Sequence, residues 1–309
     1  MKKITIIGGI AVDIEGVPYE HLIYKDSNPG QIHIAFGGVG RNIAENLVRL
    51  GLECNMVSAV GKDVFGQSIL NHLKEIGLSS EYIDVLDSFN TAVYLSILQH
   101  DRDMELAING MDIFSHWTGN EAMYSSKDIA DSSLMILDTN LTTKLIEEIV
   151  WRFQDKVFLL DPVSVSKAKK VKDIIGQFHI IKPNKLEAEE LTGLKIKNEE
   201  DLRRAGDYFC EKGVEKVFIT CGDEGVYYRD SNQEGFIKVV PVLPLSTTGS
   251  GDAFTAGLAY GFLHGHDTRT LAKLGCACSY FALTSEKTVN DNLSEEKIKK
   301  YIEVNFDGE

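Results

Sequence analysis

Positive charge is scarce in this chain. Its 309 residues carry 32 Lys and Arg against 46 Asp and Glu, a formal net charge of −14. A protein that tracks a nucleic-acid backbone needs a basic face, so nucleic acid is not expected as a main partner. One small anion, held locally by loops and a metal, remains compatible with this balance. Cysteine is sparse as well: Cys54, Cys210, Cys221, Cys276 and Cys278 form an odd set without metal-ligand spacing. A single residue separates Cys276 from Cys278, a poor fit to a CxxC redox motif, and reduced, mostly buried thiols of a cytoplasmic protein are expected. No apolar run approaches the ~20 residues of a membrane span, and the run behind Lys2 and Lys3 is too short for a signal peptide. No membrane partner is therefore expected. The phosphate motifs GxxxxGK[ST] and GxGxxG are absent as such, which argues against a P-loop or dinucleotide fold. Internal repeats, low-complexity tracts and interdomain linkers are missing too.

What is present reads as one α/β domain spanning residues 1–309. Hydrophobic residues make up 43% and charged residues 25%, ordinary for a globular chain. Short apolar runs at residues 4–7, 134–137, 157–160, 179–181 and 217–219 suit strands covered on both faces, as in a parallel sheet. Helical patterns alternate with them. Ile43, Leu47 and Leu50 share a face that Gly51 ends; Phe65, Ile69, Leu73 and Ile76 repeat the design between Asp63 and Gly77. Further helices are expected at 142–153 and 199–212, and a solvated one after Asn290. This alternation argues for a mostly parallel central sheet flanked by helices. Residues 14–36, with Ile32, Ile34 and Phe36 alternating, and residues 91–108, broken by the polar turn His100-Asp101-Arg102-Asp103, interrupt it. They are expected to form a small sheet outside the core, placed to cover a site as a lid.

Five clusters carry polar chemistry. Residues 246–254, Ser-Thr-Thr-Gly-Ser-Gly-Asp-Ala-Phe, run into the apolar-periodic segment 253–263. Free backbone N–H groups and the helix dipole make such a helix start suitable for an anion, and Gly249 and Gly251 let the backbone close around phosphate oxygens. Asp252 repels that anion unless it takes a proton from an attacking hydroxyl. A plain glycine turn capped by Asp252 is written with the same letters. Upstream, Gly37-Gly38-Val39-Gly40-Arg41-Asn42 precedes a helix, where backbone N–H groups and the Asn42 amide suit a polyhydroxyl ligand. Asp13, beyond the first strand, can accept from vicinal hydroxyls at the carboxyl edge where open α/β sheets bind ligands. Asn184 and Glu187 read as a capping box and equally as holders of a hydrated Mg²⁺. In residues 220–225, Gly222 and Gly225 allow a nucleotide to approach Thr220, or simply make turns.

In this order the clusters resemble the ribokinase family of carbohydrate and nucleoside kinases, over essentially the whole chain. The likeness extends to Asp26-Ser27-Asn28-Pro29-Gly30, Ala107-Ile108-Asn109, Asp161-Pro162-Val163-Ser164 and Lys182-Pro183-Asn184. It implies a ribokinase-like fold and ATP-dependent phosphoryl transfer to a primary hydroxyl of a small sugar or nucleoside. Asp252 would be the base, with Gly249, Ser250 and Gly251 as donors to the phosphoryl oxygens. Asp13, Gly37, Gly38 and Asn42 would hold the sugar, and Asn109 with the 26–28 turn a uracil-like base. Thr220, Gly222, Gly225 and Asn184 would bind the nucleotide, with Mg²⁺ held through water by Glu187 and Asn184. The family's Asp-Thr-x-Gly-Ala-Gly-Asp loop is altered, with Ser246 for the first Asp and Ser250 for Ala. This bears on any role of that Asp in ordering a monovalent cation, a further candidate cofactor. A homodimer through the lid is compatible with its apolar strand positions. A ribose or other sugar kinase, a purine nucleoside kinase, and a ligand-binding regulator with a kinase fold are the alternatives.

Overall fold

The computed structural model describes residues 3–101 and 103–306. Met1 and Lys2 before the first strand, Arg102 of the expected polar turn, and residues 307–309 of the expected domain lie outside the described residues. The chain opens with β1 (Lys3–Ile7), β2 (Ala11–Pro18), β3 (Gly30–Gly37), β4 (Cys54–Gly61), β5 (Ile83–Leu86), β6 (Val93–Leu98) and β7 (Met104–Gly110). It continues with β8 (Ser132–Asp138), β9 (Phe158–Asp161), β10 (Ile180–Ile181), β11 (Lys216–Thr220), β12 (Val226–Arg229) and β13 (Glu234–Ile237). Nine of these form a sheet in the order β13-β12-β11-β10-β9-β8-β1-β4-β5. Neighbours from β11 to β5 are parallel, whereas β12 and β13 join antiparallel.

The apolar runs form the middle of this sheet because helices cover both of its faces. Ile6, Leu134, Ile136, Leu159 and Phe218 pack with helices Val39–Arg49, Val64–Glu75 and Ser250–Leu263. Ile7, Leu137, Leu160 and Ile219 point the other way, toward helices Thr143–Arg152, Lys185–Thr192 and Glu199–Glu211. Helix Ser250–Leu263 is buried almost all round. A Cβ on Gly257 would stand 2.6 Å from the Leu274 carbonyl, which lets helix Thr268–Leu283 lie directly against it.

From β1 the chain moves to β4 and β5 on one side, then returns to β8 on the other. The crevice of such a sheet opens beyond the carboxyl ends of β1 and β8. There the second sheet begins, ordered β3-β2-β6-β7, because β2 follows β1 after three residues and β3 runs into helix Val39–Arg49. Its register puts Asp13 opposite Tyr94 and Tyr94 opposite Asn109, in one row on one face. Ile14, Ile34, Leu95 and Ile108 form the adjacent row on the opposite face. The terminal segment after Asn290 does hold a helix, Glu295–Asn305, but it is not merely solvated: Ile298 is fully buried, and Tyr301 stacks on Tyr280 at 4.4 Å.

Candidate active site

Gly249 takes φ +82 immediately before helix Ser250–Leu263, and a Cβ there would stand 2.2 Å from the Thr288 carbonyl. Only glycine fits both demands. The helix start lacks a side-chain cap, so no capping side chain occupies its first-turn N–H groups. Ser250 Oγ donates to the Thr247 carbonyl at 2.9 Å, closing the loop. Ser246 Oγ accepts from the Thr248 N–H at 3.2 Å, so Ser246 is used within the loop itself.

Asp252 sits in the first turn of this helix and is 9% exposed. Its Oδ2 accepts from Asn42 Nδ2 at 2.6 Å. Burial, with repulsion from Asp161, pushes the Asp252 carboxyl up to about 7, while the Asn42 hydrogen bond and Lys182 pull against it. A carboxylate tuned to that range is suited to take a proton near neutral pH. The Asn42 amide is held at both ends, since its Oδ1 accepts from Arg41 Nη2. Arg41 is itself buried, donating from Nη2 to the Phe36 carbonyl at 2.6 Å and from Nε to the Gly37 carbonyl at 3.3 Å, and pairing with Glu45. One guanidinium thus fastens the glycine loop and the amide that faces Asp252.

A second ion pair lies beneath the 246–251 loop. Lys182 Nζ is 2.9 Å from Asp161 Oδ2, both side chains being buried, and donates to the Gly251 carbonyl at 3.4 Å. Thr255 Oγ1 donates to Asp161 Oδ2 at 2.8 Å. Burial opposes the charge on Lys182, but Asp161 and Glu187 outweigh it and raise its pKa, so a cation is fixed under the start of helix Ser250–Leu263. Asn184 and Glu187 form the expected capping box: each side chain accepts from the other's backbone N–H at 2.9 Å. Burial raises the Glu187 carboxyl, Lys182 working against this. Among the described residues no cluster of three or more His, Cys, Asp and Glu could ligate a metal directly. One carboxylate and one amide, both engaged in capping, fit a Mg²⁺ that keeps its waters and takes phosphate oxygens as further ligands.

Thr220, Gly222 and Gly225 line one cavity of about 510 Å³ together with Ser250 and Gly251. Asn184 is joined to it by a parallel bridge to Thr220. The remaining walls, including Val240, Pro244, Cys276, Tyr280 and Tyr301, were not anticipated from the sequence. The cavity is mainly apolar and ends at Ser250 and Gly251.

On the other side of Asp252, the Asp13 carboxylate lies against Gly37, where a Cβ would meet Asp13 Oδ2 at 2.2 Å. Burial pushes the Asp13 carboxyl up to about 6, and Arg41 opposes the rise. Gly38 takes φ +90, and its missing Cβ would stand 2.5 Å from the Gly9 carbonyl. Asn109 is exposed on β7, in the Asp13 row of the small sheet. Asn28 differs from the others: its Oδ1 accepts from Ile23 N–H and its Nδ2 donates to the Ile23 and Asp26 carbonyls. That amide is consumed by its own turn. Sequence reasoning gave no role to Arg41, Asp161 or Lys182; the signal was a charge directly after an apolar run for Asp161 and Lys182, and a charge within the glycine motif for Arg41.

The model of the pfkB family of carbohydrate kinases matches residues 1–295. A pseudouridine kinase of Escherichia coli (strain K12) is 35% identical over 301 residues, covering 97% of this chain and 96% of the relative. Among solved structures, a provisionally assigned sugar kinase from Clostridium perfringens superposes with a TM-score of 0.85 at 34% identity, covering 98% of this chain and 96% of the other. A protein from E. coli provisionally assigned as ribokinase II, solved with ATP and Mg²⁺, reaches a TM-score of 0.82 at 20% identity, covering 98% and 100%.

Proposed function

The chain belongs to the pfkB family of carbohydrate kinases and is a phosphotransferase with an alcohol acceptor, and on that premise we propose that it phosphorylates the 5′-hydroxyl of pseudouridine with ATP. The observation that carries this reading is Asp252: a buried carboxylate poised near neutrality, at a phosphate-cradling helix start, between an apolar cavity and a polyol-type pocket. Asp252 Oδ accepts the proton of the attacking hydroxyl. N–H groups of Gly249, Ser250 and Gly251 stabilise charge on the transferring group, contributing several kcal/mol by the logic of oxyanion sites. Lys182, under Gly251, adds fixed positive charge there. The nucleotide base occupies the 510 Å³ cavity beside Thr220, Gly222 and Gly225, and Asn184 is near its phosphates. Mg²⁺ supplies charge neutralisation of the phosphates when bound, with Glu187 and Asn184 holding its waters.

Asp13 and the Gly37-Gly38 backbone bind the ribose hydroxyls. Asn42 acts mostly through Asp252, since its amide is already engaged. The small sheet, built from residues 11–18, 30–37, 93–98 and 104–110, covers the sugar and excludes water as a competing acceptor, with Asn109 on its substrate face. Its opposite face is apolar, with Ile32 73% and Ile108 57% exposed, and this supports a homodimer built lid against lid. Sedimentation at twice the mass of one chain is expected; a monomer at micromolar concentration contradicts the dimer. The substrate reading is tested by ADP release with pseudouridine, uridine, ribose and adenosine. Pseudouridine should give the highest kcat/KM, and a clear win by ribose or adenosine would instead support a sugar or purine nucleoside kinase.

A further inference from the structure

Val163 is a β-branched residue at φ +64, a conformation such residues rarely adopt. It is held there by three bonds: Val163 N–H to Asp161 Oδ1 at 3.0 Å, Ser164 N–H to the Pro162 carbonyl at 2.7 Å, and Thr139 Oγ1 to the same carbonyl at 2.5 Å. Strain of this kind persists where the surroundings over-determine it. The turn swings the short helix Val165–Ala168 back toward the end of β8. There Lys167 Nζ donates to Asn140 Oδ1 at 2.6 Å, and Lys170 Nζ donates to the Thr139 and Leu141 carbonyls.

The Lys167 bond orients the Asn140 amide. Asn140 is 7% exposed, and its Nδ2 lies 2.7 Å from where a Cβ on Gly9 would be. Gly9 is also the residue whose carbonyl accepts from Arg41 N–H and faces Gly38. The amide therefore borders the pocket of Asp13, Gly38 and Asp252, across the Gly9 backbone. Among the described residues Asn140 Nδ2 has no hydrogen-bond acceptor, and Lys167 Nζ uses one of its three hydrogens. Burial pulls the Lys167 pKa down and Asp138, buried behind Gly8 and Gly9, pulls it back up.

We infer that Asn140 and Lys167 are the base-reading pair of the substrate pocket, donating to the carbonyl oxygens of a pyrimidine-2,4-dione. The inference rests on the nucleoside-kinase reading above. Both groups offer only N–H donors toward the pocket, and a dione edge offers two carbonyl acceptors. The amino groups of cytosine or adenine would bring donor against donor, a repulsive term that rejects them. The pair does not separate pseudouridine from uridine, whose rings carry the same two carbonyls. Asn28, closed within its own turn, leaves this task to other residues.

Steady-state kinetics on the full-length protein with ATP and Mg²⁺ test the pair. Lys167→Met and Asn140→Ala should each raise KM for pseudouridine by about 10- to 100-fold, the effect of one lost charged or buried hydrogen bond, with kcat and the KM for ATP within about threefold. Lys167→Arg should recover most of the loss. A pseudouridine KM unchanged in both variants overturns the assignment, as does an equal rise in the KM for ATP, which would mark a structural role. The unmodified protein supplies a test independent of folding: uridine should exceed cytidine in kcat/KM by at least about tenfold, and equality overturns the pair. Should ribose exceed pseudouridine in the unmodified protein, the nucleoside reading itself fails.

Discussion

Replacing Asp252 by Asn should separate activity from stability in opposite directions. The amide is isosteric and can turn its oxygen toward Asn42 Nδ2, now 2.6 Å from Asp252 Oδ2, so the local packing survives. It cannot accept a proton, and kcat should fall about 10²- to 10⁴-fold, the range for loss of an acid–base group. Stability should move the other way. The Asp252 carboxyl rises from an ordinary 3.8 to about 7 in the folded chain, because it is buried and faces Asp161. Between those pH values the folded state holds more protons than the unfolded one, so this group makes stability fall as pH rises from about 4 to about 7. Above pH 7 the buried charge costs a few kcal/mol, and the neutral amide removes that cost. The variant should therefore melt at the same temperature as the parent near pH 4 and several degrees higher at pH 8. Thermal denaturation at the two pH values, together with ADP release, reads both effects. Near-normal turnover refutes the base assignment. Lost activity accompanied by a lower melting temperature at pH 8 would show that the variant fails by misfolding and that the buried-charge reasoning is wrong.

Gly249→Ala should destabilise the chain by about 1–3 kcal/mol and lower kcat, because a Cβ would stand 2.2 Å from the Thr288 carbonyl at φ +82. Ser250→Ala, losing only the 2.9 Å bond to the Thr247 carbonyl, should cost about 1 kcal/mol and keep turnover; urea unfolding with kinetics separates the two. Glu187→Gln retains the capping box, because Gln also accepts the Asn184 N–H, but weakens the hold on hydrated metal. Its Mg²⁺ requirement in a metal titration should rise several-fold at unchanged melting temperature.

The parts of the fold legible in the sequence were those written in one period. The runs that became β1, β8, β9 and β11 are mainly apolar because helices cover both faces of the sheet. β4 escaped because Asn55 and Ser58 interrupt its pattern; Ser58 is in fact fully buried, donating to the Gly8 carbonyl at 2.6 Å. Tyr301 reads as part of a polar tail and lines the cavity only because its helix folds back onto Tyr280. In the site, glycine loops announce themselves by composition. The pairing of Asp161 with Lys182 does not, because it depends on sheet register: β9 and β10 align Leu160 with Ile181, which brings the next residue of each strand end side by side. Arg41 stands within a visible motif, yet its reach to Phe36, Gly37 and Asn42 follows from the turn of the loop around it.

The central claim is transfer of phosphate from ATP to the 5′-oxygen of a uracil-type nucleoside, and NMR of the reaction product tests it directly. Pseudouridine incubated with the protein, ATP and Mg²⁺ should yield one equivalent of ADP per nucleotide, with phosphorus coupled to the two 5′ protons. ADP release without a phosphorylated nucleoside, or phosphate on another oxygen, contradicts the account.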